Sequence, residues 1–395
     1  MKEKLTAFEK RVKRHVIAKK HTFFVPVSPG LIDVCFDEIS KLDLEAEEIK
    51  KIQGGGIEFT GSLNDCYKAN LFLRCANRVL MRVHSFKATN FKSMEKKTAK
   101  VPWELYLNPG IPLEVSVSSS KSRLFHTKAV SEKIIDVIYK TLSISEMNAN
   151  YEDSKTQRVF VRVVDDTFTI SIDSTGENLY KRGLKTIGGP APIRETIASA
   201  LLTMAGFSKN MILVDPMCGT GTFSIEAYLM ATNTLPGFYR EFSFQNWPGY
   251  KEARFNHIKK KASEEIEVPE TPFIFASDRN GNIVNELKKC VDKLGFGEYI
   301  NVSANDFFKL IPDLPADNKK LVIFNPPFGQ RIGSKGESDK TVKAIIEKLK
   351  KDYKGYTFGI ILPFKDLVKK IPYKCKTYSF SHGGLQLTFA TGMVK

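Results

Sequence analysis

Paired cysteines, metal-ligand clusters and long apolar runs are all missing from this chain, and each absence removes a class of function. Its six cysteines, at positions 35, 66, 75, 218, 290 and 375, include no CxxC pair, and only six histidines accompany them. No metal site is therefore expected, and the thiols read as reduced, buried and cytoplasmic. No apolar run approaches the roughly 18 residues that a membrane-crossing helix needs, so no membrane partner is expected. The amino terminus lacks the apolar core of a secretion signal. It is basic enough to resemble a transit peptide, but it carries Glu3 and Glu9 and little serine. Acidic residues are also short: 60 Lys and Arg against 44 Asp and Glu leave a net charge of +16. That surplus calls for a polyanionic partner, most simply nucleic acid. At 395 residues the chain has room for two or three domains.

Residues 1–20 read as a basic helix, either a solvated surface helix or an arm gripping phosphates through Arg11 and Arg14. From His21 short strands and helices mix, as in an α+β fold with antiparallel sheets. Segments 23–27, 48–59, 78–84 and 113–118 read as extended, and 31–41 and 63–74 as helical. Val130, Ile134, Ile138 and Leu142 line one side of an amphipathic helix over 127–142. Segments 158–164 and 167–172 alternate around Asp165-Asp166 and read as a hairpin. The loop SSSKSRLFHTK, residues 118–128, leads into the helix. Its Lys121, Arg123 and Lys128, with the N–H groups of the helix start, would suit a phosphate; otherwise its charge is incidental to a flexible loop. A Gly- and Pro-rich linker over 183–192 precedes regular strand–helix alternation to about residue 356, the pattern of a doubly wound parallel sheet. Segment 377–391 reads as a closing hairpin.

The first strand of that second half, 211–214, runs into Asp215-Pro216-Met217-Cys218-Gly219-Thr220-Gly221-Thr222 and then a helix over 223–231. A strand, a glycine loop and a helix start form a nucleotide-type cradle. There is no Gly-Lys-Ser/Thr, which excludes a Walker loop. Ser224 replaces the third glycine of a dinucleotide fingerprint, and Asp215 would repel a pyrophosphate. A carboxylate there suits S-adenosylmethionine, which is cationic and hydroxyl-rich. Strand 273–276 ends in Ser277-Asp278-Arg279-Asn280, placing Asp278 for ribose hydroxyls. Strand 300–302 leads to Asn305-Asp306-Phe307, where Asp306 could hold an adenine amino group with Phe307 or Phe308 against the ring. Each acid alone is also a common helix cap; their order, each after its own strand, favours the cofactor. Strand 321–324 then runs into Asn325-Pro326-Pro327-Phe328-Gly329. Neither proline can donate to a ladder, so the chain leaves the sheet there in a stiff turn.

DPMCGTGTFSIEA, ASDRN, ANDFF and NPPFGQRIG, in that order, resemble class I S-adenosylmethionine-dependent methyltransferases acting on exocyclic amines. TFFVPVSPGLIDVCFDEI, QGGGIEF, SSSKSRLFHTKAV, LYKRGLKTIGGPAPIRETIASALL and SHGGLQLTF extend the resemblance over residues 21–395. They are similar to the THUMP-containing guanine-N2 RNA methyltransferases, in particular the amino-terminal half of those acting on large-subunit ribosomal RNA. The resemblance implies an α/β fold: a Rossmann-like methyltransferase domain with a mixed seven-stranded sheet behind an α+β ferredoxin-like/THUMP RNA-binding module. The implied organisation is a basic arm (1–20) and a ferredoxin-like subdomain (21–60) completed by strands near 165–182. A THUMP domain (61–172), a linker (173–192) and the methyltransferase domain (193–395) follow.

The resemblance also places Thr196 and Arg279 with residues 215–222, Asp278, Asn305, Asp306, Phe307 and Asn325 around S-adenosylmethionine. Asn325, Pro326, Pro327 and Phe328 become the catalytic group. The Asn325 side-chain oxygen and the Pro326 carbonyl would accept the two amine hydrogens, and Phe328 would stack on the extruded base. Many relatives have Tyr at that position, a change that keeps the aromatic face. Bifunctional relatives carry a second methyltransferase; here the sequence ends at Lys395, and that second activity is expected to be absent. Transfer RNA in place of ribosomal RNA, a DNA adenine-N6 methyltransferase, and a non-catalytic RNA-binding assembly factor remain alternatives.

Overall fold

Alternating apolar residues in the first part of the chain build one continuous sheet. The computed structural model describes residues 5–143, 156–184, 193–269, 273–309, 313–315, 317–326 and 335–395. They divide into two units, each assembled from separated pieces of chain. Met1–Pro26, Ile39–Leu179 and Arg240–Lys260 form the first; Val27–Glu38, Tyr180–Tyr239 and Lys261–Lys395 form the second.

The first unit contains strands β1 (His21–Pro26), β2 (Ile49–Ile52), β3 (Gly56–Gly61), β4 (Leu80–Lys87), β5 (Leu113–Ser120), β6 (Gln157–Val164) and β7 (Thr167–Asp173). Their order is β2-β3-β1-β4-β7-β6-β5. All neighbours are antiparallel except β5 and β6. The helix between those two, Thr127–Leu142, buries Val130, Ile134, Val137 and Ile138. Asp165 and Asp166 both take positive φ, at 48° and 58°, the conformation a tight hairpin turn requires. Past β7 the chain does not yet behave as a linker, because Asp173, Ser174 and Thr175 are fully buried. Asn70 donates to Ser174 Oγ at 2.8 Å, Thr175 Oγ1 donates to Asn70 Oδ1 at 2.6 Å, and Arg78 pairs with Asp173.

Residues 240–260 return to this unit. Phe244 packs against Tyr67, tilted at 4.6 Å between ring centres, and edge-on against Phe255 at 5.3 Å, and its N–H donates to Ser174 O at 2.9 Å. The amino-terminal helix Ala7–Val12 continues through a π turn, Lys13–Ile17. It is seated rather than free, with Val12 3% and Val16 1% exposed.

The second unit contains β8 (Met211–Asp215), β9 (Ile274–Asp278), β10 (Ile300–Ala304), β11 (Lys319–Phe324), β12 (Thr357–Leu362), β13 (Cys375–His382) and β14 (Leu385–Met393), ordered β10-β9-β8-β11-β12-β14-β13. β8 through β12 are mutually parallel where they pair, and β14 lies antiparallel to β12 and β13. Val322, Phe324, Leu349, Tyr353 and Phe358 belong to the apolar core of this unit. From β8 the chain first builds outward through β9 and β10, then crosses to β11 on the other side. A crevice therefore opens between the carboxyl ends of β8 and β11, the point where open α/β sheets take their ligands.

Candidate active site

Asp215 ends β8 and Asn325 follows β11, so the two flank that crevice. All five residues of β8 are buried, and Asp215 is 1% exposed. Ser224, which replaces the third glycine of the dinucleotide pattern, donates from Oγ to Asp215 Oδ2 at 2.8 Å. Burial pushes the Asp215 carboxyl up to about 7, with Ser224 opposing and the Asp278 charge adding to the rise. A carboxyl held there gains from a cation beside it. Burial and the two nearby carboxylates push the Cys218 thiol well up, which favours the neutral thiol over the thiolate.

The loop is closed by its own backbone: Cys218 N–H donates to Ser277 O at 3.0 Å and Gly221 N–H to Cys218 O at 2.8 Å. Gly219 and Gly221 take φ of 51° and 78°. A Cβ on Gly221 would lie 2.5 Å from Leu287 Cδ1, while one on Gly219 would face open space. Backbone is thus bare where a ligand can approach. Pro216, Cys218 and Gly221 are buried; Met217, Thr220 and Thr222 are half-buried.

Asp278 accepts from Gly219 N–H at 3.1 Å and Asn280 N–H at 2.9 Å, one on each oxygen. A carboxylate has about four acceptor positions, so two are left for a ligand. Arg279 is exposed. Asn305 donates to Ser303 Oγ at 3.0 Å, and Asp306 accepts from Phe308 N–H at 3.0 Å. Of the two candidate rings, Phe307 goes into the core at 2% exposure, 5.0 Å from Phe324. The Phe307 ring is thus engaged in packing, and Phe308, 45% exposed, is the more open of the two. Asn325 is half-buried and Pro326 buried; Pro327 and Phe328 lie outside the described residues.

Thr196 sits in the helix Glu195–Met204 at 1% exposure. Its Oγ1 has no hydrogen-bond partner among the described residues. A buried hydroxyl without a partner costs free energy unless something else satisfies it. That orphaned hydroxyl, the bare loop and the spare acceptors of Asp278 fit a polar, hydroxyl-bearing ligand such as S-adenosylmethionine.

Two supports were not foreseen from sequence. Arg182 and Glu226 form a bidentate pair at 2.9 and 3.0 Å, 3% and 0% exposed, which Ser199 Oγ joins. It ties the helix of Thr196 to the helix Thr222–Ala231 that follows the loop. A lone acid in the apolar run FSIEAYLMA was the available signal, since a buried charge needs a partner. Leu287, against Gly221, is the other.

The remaining candidates lie in the first unit. Lys121, Arg123 and Lys128 are exposed, and the loop carrying them is tethered. Arg123 N–H donates to Asp166 Oδ1 at 2.7 Å, and Ser122 Oγ accepts from Asp166 N–H at 3.1 Å. Phe125 projects beside them, 62% exposed. Arg14 is exposed, and Arg11 pairs with Glu104 at 2.6 Å. Among the described residues, no three His, Cys, Asp or Glu are grouped to hold a metal, and no helix is long and apolar enough to cross a membrane.

Residues 182–386 match the family model described as RMKL-like, methyltransferase domain. The chain belongs to the RMKL-like methyltransferases. Residues 22–80 of this RMKL-like chain match an RlmL ferredoxin-like domain, and residues 88–173 a THUMP domain. The chain is 29% identical to slr0064 of Synechocystis sp., over 94% of this chain and 96% of that one. It is 28% identical to the ribosomal RNA large subunit methyltransferase K/L of Psychromonas ingrahamii, covering 92% of this chain but 49% of that protein, so it spans about half the length of the K/L relative. The crystal structure of SMU.472 complexed with SAH superposes with a TM-score of 0.84 at 25% identity, over 95% of this chain and 99% of that one.

Proposed function

We propose that this chain is an S-adenosylmethionine-dependent RNA methyltransferase that modifies the exocyclic N2 amine of a guanosine, with large-subunit ribosomal RNA as substrate. The observation that carries the reading is the pairing of a cation-favouring carboxyl, Asp215, with Asn325 across the switch-point crevice. Asp215, the loop to Thr222, Asp278, Asp306, Phe308 and Thr196 would hold the cofactor. When bound, S-adenosylmethionine supplies an electrophilic methyl group on a sulfonium.

The work of this chain is to make the amine nucleophilic. Its lone pair is delocalised into the guanine ring. Accepting both N–H hydrogens, with Asn325 Oδ1 and the Pro326 carbonyl, favours a pyramidal nitrogen whose lone pair points out of the ring plane. Asn325 can do this because it leaves β11, whose apolar residues Leu321 to Phe324 are fully buried. Phe328 is the proposed stacking partner for the base, worth roughly 1–3 kcal/mol. Water can take the released proton, so no dedicated base is required.

The RNA assignment rests on the THUMP match, on the likeness to the ribosomal RNA methyltransferase K/L and on the +16 net charge. Lys121, Arg123 and Lys128 on a tethered loop supply phosphate contacts, with Arg14 and Arg11 on the amino-terminal helix. The test is incubation with labelled cofactor and separate ribosomal and transfer RNA pools from a strain lacking the gene, followed by nucleoside mass spectrometry. N2-methylguanosine in the ribosomal pool is the expected product. N6-methyladenine in DNA, with both RNA pools unlabelled, would refute it.

A further inference from the structure

The first unit has a cavity of about 430 Å³ between the amino-terminal helix and residues 248–254. Its volume is within the range of small-ligand sites. Its walls are of two kinds. Val12, Ile17 and Pro248 make an apolar floor, and Phe8, 43% exposed, stands beside them. Lys13, Lys251 and Arg254 line the same cavity. None of these three side chains has an ion-pair partner among the described residues. Glu9 is the one carboxylate in the lining. It is turned back onto its own helix start, accepting from Thr6 N at 2.7 Å and Thr6 Oγ1 at 2.9 Å. Three cations therefore outnumber one carboxylate, Glu9, whose charge also acts on Lys251, over an apolar floor with an aromatic edge. The walls are held from beneath: Val16 would be 3.1 Å from a Cβ on Gly249, and Lys251 N–H donates to Tyr67 Oη at 3.2 Å.

We infer that this cavity binds one unpaired nucleotide of the RNA substrate, with the base against Phe8 and the apolar floor and the flanking phosphates on Lys13, Lys251 and Arg254. The inference rests on the RNA reading above. A stacking ring beside unpaired cations is the pairing that single-stranded nucleic acid requires. A duplex would leave Phe8 without a base face to cover.

The test uses the full chain and a fluorescently labelled RNA fragment with a single-stranded segment, titrated at several salt concentrations. The Lys251→Gln/Arg254→Gln double variant should bind about 5- to 30-fold more weakly. Its slope of log affinity against log salt should be shallower by about 1.4, from roughly 0.7 per lost phosphate contact on a single strand. A Phe8→Trp variant keeps the ring and reports directly: its emission should be quenched by the single-stranded fragment and not by a matched duplex. Unfolding midpoints of all variants check that they fold. If wild-type protein binds and methylates RNA while the double variant keeps affinity within twofold and Phe8→Trp is not quenched, the cavity assignment is overturned and the RNA reading stands. Wild-type protein that binds no RNA, or binds anionic vesicles through these residues instead, overturns both.

Discussion

Asp215→Asn should make the protein more stable and worse at its task. The carboxyl is 1% exposed and its ordinary value of 3.8 is raised to about 7, chiefly by burial. The folded state therefore binds this proton more tightly than the unfolded chain does. Stability from this group is fully present below pH 4 and is lost as pH rises towards 7, where the buried carboxyl must ionise. Each tenfold in proton affinity is about 1.4 kcal/mol, so the loss is bounded at ~4 kcal/mol above pH 7. Asparagine has nearly the same shape, can still accept from Ser224 Oγ, and never ionises. The stability difference, variant minus wild type, should grow between pH 4 and 7 by on the order of 1–4 kcal/mol and then level off. The cation-binding carboxylate is lost at the same time, and cofactor affinity at pH 8 should fall about 10- to 100-fold. Urea unfolding at pH 4.5, 6 and 8, with calorimetric cofactor titration, measures both. A stability difference that is flat or shrinks with pH would show that Asp215 is not held as a reluctant acid.

Thr196→Val removes a buried hydroxyl that has no partner among the described residues, so the free protein should be as stable or up to about 1 kcal/mol more stable, while cofactor binding weakens about 3- to 10-fold. Equal losses in both would mean that the hydroxyl serves the fold. Arg182→Ala strands the Glu226 charge and should cost about 3–5 kcal/mol, whereas Arg182→Met with Glu226→Leu should recover most of it in thermal melts. Gly221→Ala combines a left-handed backbone with a contact at 2.5 Å to Leu287, and should cost about 2–4 kcal/mol with loss of cofactor binding. Adding Leu287→Ala should relieve the contact but not the backbone strain. Asn325→Ala should lower kcat by about 10²–10³ while RNA affinity stays within twofold.

Local pattern carried most of the fold. The hairpin around Asp165-Asp166, the helix over 127–142 and the four strands that place Asp215, Asp278, Asn305 and Asn325 all lie where alternation, amphipathicity and apolar runs put them. What pattern could not carry was long-range exchange. Residues 240–260 lie inside the methyltransferase match yet fold into the first unit, because Phe244 and Phe255 find Tyr67 nearly two hundred residues away. No local periodicity encodes that pairing. The choice between Phe307 and Phe308 was equally hidden, since adjacent aromatic residues after a strand differ only in which one meets Phe324 and Tyr353. Glu226 was visible as a charge in an apolar run, but Arg182, beside Lys181 and Gly183, was not, and their partnership depends on a distant segment packing onto the helix of Glu226.

The most direct test of methyl transfer to the N2 amine replaces guanosine with inosine throughout an RNA substrate that the enzyme labels. Inosine differs only in lacking that amine. Label from S-adenosylmethionine should disappear with inosine while the RNA is still bound. Label retained on the inosine RNA would place the methyl group on another atom and contradict the assignment.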